Sequence, residues 1–125
     1  MTIRTGRCLC GRIRYRVTGE PSKVGICHCI NCRRESGSAF VTYAIWPREA
    51  FSLTGKYATF QGRSFCPGCG SRLFNLTDTK AELRVGSLDA APTDLVPGRE
   101  IWYRRREPWL APLAGIPQHD EDEPG

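Results

Sequence analysis

The sequence predicts a small all-β domain, and three observations predict this fold class. Short stretches of apolar, β-branched and aromatic residues recur along the chain, turns rich in glycine separate them, and only one stretch favours a helical turn. The 125 residues are enough for one domain with a modest core. The content of 40% hydrophobic and 25% charged residues is typical of a soluble globular protein.

The first predicted strand lies between Gly11 and Gly19, where apolar and basic residues alternate. This period of two predicts a half-buried strand with a basic outer face. The outer face could bind anions, but a solvated strand face is the favoured interpretation. The apolar positions are Ile13, Tyr15 and Val17, and the basic positions are Arg12, Arg14 and Arg16.

A short helical turn and a buried strand are predicted next. Residues 33–35 can form one helical turn, which Gly37 would end. Residues 40–46 are apolar or aromatic on both faces and predict a buried strand that Pro47 closes. Shorter strands are predicted at residues 51–53, 57–61, 73–76, 81–85 and 101–103.

The C-terminal part is predicted to lie on the surface. Residues 89–98 predict a surface loop, and the chain beyond Trp109 is rich in proline and glycine. We expect one domain over residues 1–118 and a disordered acidic tail over residues 119–125. The formal charge of +5 includes this tail, so the rest of the chain is more strongly basic. The tail acids are Asp120, Glu121, Asp122 and Glu123.

The seven cysteines indicate metal binding rather than disulfide bonds. Their number is odd and their spacings are those of metal ligands. The first residues lack the apolar core of a secretion signal, and no apolar run approaches the roughly 20 residues of a membrane span. We therefore expect a cytoplasmic protein whose thiols stay reduced and which does not contact a membrane.

Two partitions of the cysteines into zinc sites are open. One joins the two pairs into a closed four-thiolate site and leaves the trio, with its C-x-C-x-x-C spacing, as a site with one open position. The rival partition builds a zinc ribbon from residues 29, 32, 66 and 69 and scatters the other three cysteines. The first is favoured because it keeps every group intact, with the closed site structural and the open site catalytic. The groups are Cys8 and Cys10, then Cys27, Cys29 and Cys32, then Cys66 and Cys69.

Residues beside the trio are candidates for substrate contact. Arg33 and Arg34 could offset the charge of the thiolates or bind a substrate carboxylate. Ser36 and Ser38 could hydrogen-bond a sulfur atom or a developing alkoxide. In the competing interpretation, the arginines only keep the protein soluble and the serines only help to form a turn. We expect His28, which lies between two ligands, to point away from the metal.

Four ordered motifs resemble one known family. "GRCLCGRIRYRVTGEP", "CHCINCRRESGSAF", "FCPGCGSRLF" and "GSLD" are similar to motifs of the glutathione-dependent formaldehyde-activating (GFA) family, also called the centromere protein V-like domain family. The resemblance covers about residues 6–118. One departure is that this chain has Glu100-Ile101 where the family often has a His-Ile pair. The acidic tail also lies outside the pattern.

The resemblance implies a fold, two zinc ions and an activity. The fold is a zinc-stapled all-β fold of short antiparallel strands, called the β-tent. The activity is carbon–sulfur lyase or synthase chemistry of the S-(hydroxymethyl)glutathione synthase type, on a glutathione-like thiol and formaldehyde. The structural zinc would be held by Cys8, Cys10, Cys66 and Cys69, and the catalytic zinc by Cys27, Cys29 and Cys32.

The expected mechanism is thiolate capture at the three-cysteine zinc site. A free thiol has a pKa of about 8.5 and is mostly protonated at neutral pH, whereas zinc with an open position binds it as thiolate. Holding this thiolate beside an aldehyde would promote attack on the carbonyl carbon. A related small electrophile could replace formaldehyde.

Two other functions are kept open. Trp102, Tyr103 and the arginines at residues 104–106 combine aromatic and basic groups, as nucleic-acid-binding surfaces do. The chain could therefore be a non-enzymatic zinc domain that contacts nucleic acid or protein. Alternatively, oxidation of the cysteine trio could eject zinc, which would make the site a redox sensor.

Overall fold

A computed structural model describes residues 1–124, and over these residues the protein is mostly β-structure with one α-helix. This confirms the all-β prediction. The elements are β1 (Ile3–Arg7), β2 (Arg14–Thr18), β3 (Lys23–Cys27), α1 (Ile30–Ser36), β4 (Val41–Pro47), β5 (Phe51–Thr54), β6 (Ala58–Phe60), β7 (Arg63–Phe65), β8 (Arg72–Leu76), β9 (Lys80–Arg84) and β10 (Glu100–Ile101).

The strands form two sheets. The smaller sheet has the order β1-β2-β5, and the larger has the order β10-β3-β4-β9-β8-β7-β6. Neighbouring strands are antiparallel except β10, which runs parallel to β3. The expectation of antiparallel strands is therefore wrong for this pair. Two strands joined by a short turn must pair antiparallel. A long loop precedes β10, so this strand can pair with the edge strand β3 in either direction.

The main core contains apolar side chains from both sheets. From β2 and the residue before it, Ile13, Tyr15 and Val17 are buried, and they share one cluster with Trp46 and Phe74 of the larger sheet. The arginines that alternate with them are exposed, as the period of two predicts. The strands predicted from residue 40 to residue 85 match β4, β5, β6, β8 and β9 to within one residue at either end.

Three strands have no clear sequence signal: β1, β3 and β7. Glycine interrupts both β1 and β3, and an aromatic ring of the neighbouring strand covers it in each case. The register places Gly6 opposite Tyr15 and Gly25 opposite Tyr43. Such cross-strand pairs support a glycine that would otherwise weaken the strand.

The last strand is shorter than predicted. The sequence predicts a strand over residues 101–103, but β10 ends at Ile101, and Trp102 adopts a left-handed backbone conformation with φ of 53°. The backbone N–H of Trp102 donates to the carbonyl of Glu121 at 3.0 Å, and its indole N–H donates to Asp122 at 2.9 Å. At the end of the strand, Trp102 thus forms hydrogen bonds with the C-terminal segment. A 3-10 turn follows over Tyr103–Arg105.

The part of the acidic tail that the structure describes, residues 119–124, lies beside β10. Glu100 donates its N–H to the carbonyl of Pro117 at 3.0 Å and accepts at its own carbonyl from His119 at 2.9 Å. The division of the chain at residue 118 and the disorder of the tail stay predictions, although the structure gives tail residues defined partners. Within residues 1–124, no helix has the length and apolar character needed to cross a bilayer.

Candidate metal centres and active site

Four cysteines from two turns form the first cluster. Cys8 and Cys10 lie in the turn between β1 and β2, and Cys66 and Cys69 lie in the turn between β7 and β8. The sulfur atoms of Cys8 and Cys10 are 3.6 Å apart, and those of Cys10 and Cys66 are 3.7 Å apart. A tetrahedron with metal–sulfur bonds of about 2.3 Å has edges of about 3.8 Å. This cluster could therefore hold a metal ion of the size of Zn²⁺.

Hydrogen-bond donors surround the sulfurs of this cluster. Burial disfavours the thiolate of Cys8, but hydrogen bonds, first that from the N–H of Ile13 at 3.3 Å, outweigh burial and lower its pKa. The hydroxyl and backbone N–H of Ser71 lower the pKa of Cys69 to about 5. These donors stabilise negative charge on the sulfurs of Cys8 and Cys69, as a four-thiolate metal site requires.

The remaining three cysteines form the second cluster, at the junction of β3 and α1. Cys27 is the last residue of β3, Cys29 is the N-cap of α1, and Cys32 lies in the first turn of the helix. Their sulfur atoms lie within 4.8 Å of one another and could also hold a metal ion. The structure therefore groups the cysteines as the favoured partition predicts. A hydrogen bond with Cys27, together with burial, raises the pKa of the Cys32 thiol.

His28 turns away from this trio, as its place between two ligands predicts. Its side chain is 1% exposed, and its Nε2 lies 2.8 Å from Oε1 of Glu100. The other oxygen of Glu100 accepts from the N–H of Leu113 at 3.1 Å and from the amide of Gln118 at 2.9 Å. Burial disfavours the charge of Glu100, but these partners, first His28, lower its pKa. Glu100, noted as a departure from the family pattern, therefore links the cysteine loop to the C-terminal segment.

A cavity of about 230 Å³ lies against Cys27 and Cys32. Its floor is one face of the larger sheet, because the register aligns lining residues of β3, β4 and β9 side by side. The centre of the floor is apolar and aromatic, and charged groups lie around it. The other lining residues are Lys23, Val41, Tyr43, Ile45, Glu82, Arg84, Ile101 and Glu123.

Arg84 supplies positive charge next to the trio, whereas the same role for Arg33 and Arg34 stays a prediction. The positive charge of Arg84 favours the thiolate of Cys32. Its guanidinium lies 2.7 Å from Glu35 and 2.9 Å from Glu82. Burial lowers the pKa of Arg84, but contacts with carboxylates, first the hydrogen bond to Glu35, outweigh burial and raise this pKa. The guanidinium therefore stays charged. No local signal links this residue of β9 to a cysteine 52 positions earlier.

The four residues proposed for substrate contact lie elsewhere, and within residues 1–124 none of them lines the cavity beside Cys27 and Cys32. Arg33 forms an ion pair with Glu107 at 2.5 Å, and Arg34 is exposed. The Ser36 hydroxyl donates to the carbonyl of Cys32 at 2.8 Å and accepts from the N–H of Ser38 at 3.2 Å. Their substrate role stays a prediction, and the contacts of Ser36 and Ser38 are those of a helix end.

The aromatic and basic stretch after β10 is engaged with the acidic tail. The indole N–H of Trp102 donates to Asp122, and Arg104 forms an ion pair with Glu121 at 2.7 Å. The guanidinium of Arg106 lies 4.5 Å from the ring centre of Tyr103. Because the tail offers carboxylates to this surface, the surface is less suited to nucleic acid than its sequence indicates.

The chain matches the model of a known protein family. A family model described as "Glutathione-dependent formaldehyde-activating enzyme" matches residues 3–105. The chain belongs to this family. The match covers most of the chain and confirms the resemblance noted from the motifs.

Among the proteins similar to this GFA-family chain are a curated protein and a solved structure. A protein named an uncharacterized lyase from Schizosaccharomyces pombe is 35% identical over 74 residues, which cover 55% of this chain and 54% of that protein. The chain thus spans about half the length of this curated relative. A crystal structure of a Rhodobacter sphaeroides protein matches with a TM-score of 0.56 and 17% identity, covering 91% of this chain and 98% of the other. This likeness concerns the fold alone.

Proposed function

We propose that the protein is a zinc-dependent enzyme of carbon–sulfur bond chemistry. It would join a small thiol of the glutathione type to formaldehyde or a related small electrophile, or catalyse the reverse reaction. The observation that carries this proposal is the cluster of three cysteine sulfurs, two of them lining a cavity. The family description and the name of the relative from Schizosaccharomyces pombe support it.

The donor chemistry of both clusters fits zinc, because thiolates are preferred ligands of this ion. Cys8, Cys10, Cys66 and Cys69 would hold a structural ion, and Cys27, Cys29 and Cys32 would hold a second one. When bound by three thiolates, zinc supplies an open position that stabilises a further thiol as thiolate. The seven thiols are free in the structure, which suits the reducing cytoplasm that we propose as the location.

Cavity residues can assist the addition. The thiolate sulfur forms a bond with the carbonyl carbon, the π electrons of the C=O bond move to the oxygen, and this oxygen takes a proton from solvent. Burial raises the pKa of Tyr43 to about 12, so its hydroxyl stays protonated and can donate a hydrogen bond to this oxygen. Arg84 offsets the negative charge of the thiolates.

The test compares wild-type protein with Cys29→Ser, both loaded with zinc. Serine keeps the N-cap of α1 but is a poor zinc ligand, so we expect an intact fold with one zinc fewer per chain. NMR exchange spectroscopy of ¹³C-formaldehyde with glutathione measures adduct formation and breakdown. We expect acceleration by the wild type and at least a tenfold loss of it in the variant, because mutation of even an outer-shell partner of a metal site costs about 10–100-fold.

Ser52→Ala is the control, because Ser52 is an exposed residue of β5 in the smaller sheet and lies outside both cysteine clusters. It should keep both zinc ions and the full rate. A wild-type protein that does not accelerate the exchange would refute the proposed reaction. A Cys29→Ser variant that keeps two zinc ions would refute the proposed division of ligands.

A further inference from the structure

Two cationic side chains meet one carboxylate of the acidic tail at the cavity. Oε1 of Glu123 lies 2.6 Å from Nζ of Lys23, and Oε2 lies 3.2 Å from Nε of Arg99. Arg99 also donates to the backbone carbonyl of Val24 at 3.0 Å, which fixes it against β3. Lys23 and Glu123 line the same cavity as Cys27. A built binding position for a carboxylate therefore lies in the cavity that the cysteine trio borders.

The sheet fixes the separation between this position and the trio. Lys23 and Cys27 are the first and last residues of β3, so they are four residues apart and share one face of the strand. Their Cα atoms are roughly 13 Å apart at the usual rise of a strand. Between them lies Gly25, which has no side chain, with Tyr43 opposite it. A bound molecule can extend along this floor from the thiol position to the carboxylate position.

The ion pairs with the tail suit exchange with a ligand. The side chains of Lys23 and Glu123 are 39% and 22% exposed, and ion pairs between partly exposed groups are weak. A ligand carboxylate would form the same contacts with Lys23 and Arg99. While Glu123 occupies them, these two cations are already neutralised.

We propose that Lys23 and Arg99 form the carboxylate subsite for an acidic thiol substrate, and that Glu123 occupies this subsite until the substrate displaces it. This inference rests on the proposed function, which places a thiol at the trio. It defines the substrate class as peptide-sized thiols that carry a carboxylate several bonds from the sulfur. The acidic tail then acts as an internal competitor that raises the concentration of substrate needed for binding.

The experiment measures binding of S-methylglutathione to the zinc-loaded chain by titration calorimetry. This probe keeps the carboxylates of glutathione but has no free thiol, so it can be bound without reacting. We expect Glu123→Gln to lower its dissociation constant about fivefold, the effect of removing the two weak ion pairs of Glu123 with Lys23 and Arg99. Adding Lys23→Gln to this variant should abolish the gain. The diethyl ester of the probe lacks the carboxylates, so it should bind the wild type and Glu123→Gln with equal affinity.

Glu121→Gln is the matched control, because it removes the same charge from the same tail but its partner is the exposed Arg104. It should bind the probe like the wild type. Equal affinities of wild type and Glu123→Gln, or an equal gain in Glu121→Gln, would overturn the inference. Failure of the proposed function has a different signature: the affinity gain in Glu123→Gln would persist while the exchange of formaldehyde with glutathione stays at its uncatalysed rate.

Discussion

Gly25 determines the shape of the cavity floor at the scale of single residues. A Cβ atom at this position would lie 2.4 Å from the hydroxyl oxygen and 2.6 Å from the Cζ atom of Tyr43. Real Cβ atoms do not approach other heavy atoms so closely, so any side chain here must displace the tyrosine ring. The ring and the hydroxyl of Tyr43 therefore keep their place in the cavity because residue 25 is glycine.

We expect Gly25→Ala to destabilise the protein by about 1–3 kcal/mol, the usual cost of overpacking a well-packed site. The displaced ring should also weaken binding of S-methylglutathione. Urea unfolding measures the first effect and calorimetry the second. Gly86→Ala is the control, since a Cβ at Gly86 would meet open space. Equal stability of the two variants would show that the close approach to Tyr43 does not constrain the fold.

At the scale of elements, helix α1 depends on its surroundings. It has only seven residues and none of them is buried, and isolated helices of this length are unstable in water. The side chain of Cys29 caps its start, and Gly37 ends it with φ of 64°. Near the C-terminus of the helix, Glu35 forms ion pairs with three arginines of the larger sheet: Arg63 at 2.7 Å, Arg72 at 3.2 Å and Arg84 at 2.7 Å.

Replacing Glu35 with Gln should release this helix from the larger sheet. We expect a loss of about 3 kcal/mol at pH 7, because the change leaves clustered arginines without their shared carboxylate. Burial raises the pKa of Glu35, but its arginine partners, first Arg84, outweigh burial and lower it below the usual 4.5. The stabilisation is therefore present above about pH 4.5 and is lost as the pH falls through the lowered pKa.

The measurement is the difference in free energy of unfolding between wild type and Glu35→Gln, followed from pH 7 downward. Acid also removes thiolate-bound metal, but it does so in both proteins. The difference between their free energies of unfolding therefore reports the contribution of the Glu35 carboxylate alone. The difference should shrink below pH 4.5, and amide exchange in α1 should be faster in the variant at pH 7. Glu49→Gln, at an exposed site, is the control. A difference that stays constant with pH would contradict this role of Glu35.

Elements with a local pattern could be predicted from the sequence, and elements defined by distant partners could not. The alternation in β2 and the apolar run in β4 are visible in the sequence, but β3 contains a glycine that only its partner Tyr43 supports. Cysteine spacing likewise indicates both clusters. The charged groups Glu82 and Arg84 come from β9, whose pairing with β4 brings them to the cavity beside the trio. Their positions depend on sheet register, which short motifs do not encode.

At the scale of the whole molecule, the four-cysteine cluster joins the two sheets. Cys8 and Cys10 belong to a turn of the smaller sheet, whereas Cys66 and Cys69 belong to a turn of the larger one. The trio, in contrast, links only β3 to the short helix that follows it. Metal at the first cluster would therefore contribute to global stability, and metal at the second would affect one local segment.

A chelator should accordingly remove two zinc ions in two separable phases. The ion of the trio should leave first, because only three cysteines would hold it, and far-UV circular dichroism should change little. Loss of the second ion, held by four cysteines, should coincide with unfolding. A colorimetric zinc indicator and circular dichroism, recorded on one sample, measure both events. Cys66→Ser, which changes a ligand only 1% exposed, should unfold the domain, whereas Cys29→Ser should abolish only the first phase. A folded Cys66→Ser protein, or unfolding with the first ion, would refute this division, because a structural zinc ion contributes folding free energy that is lost with one of its ligands.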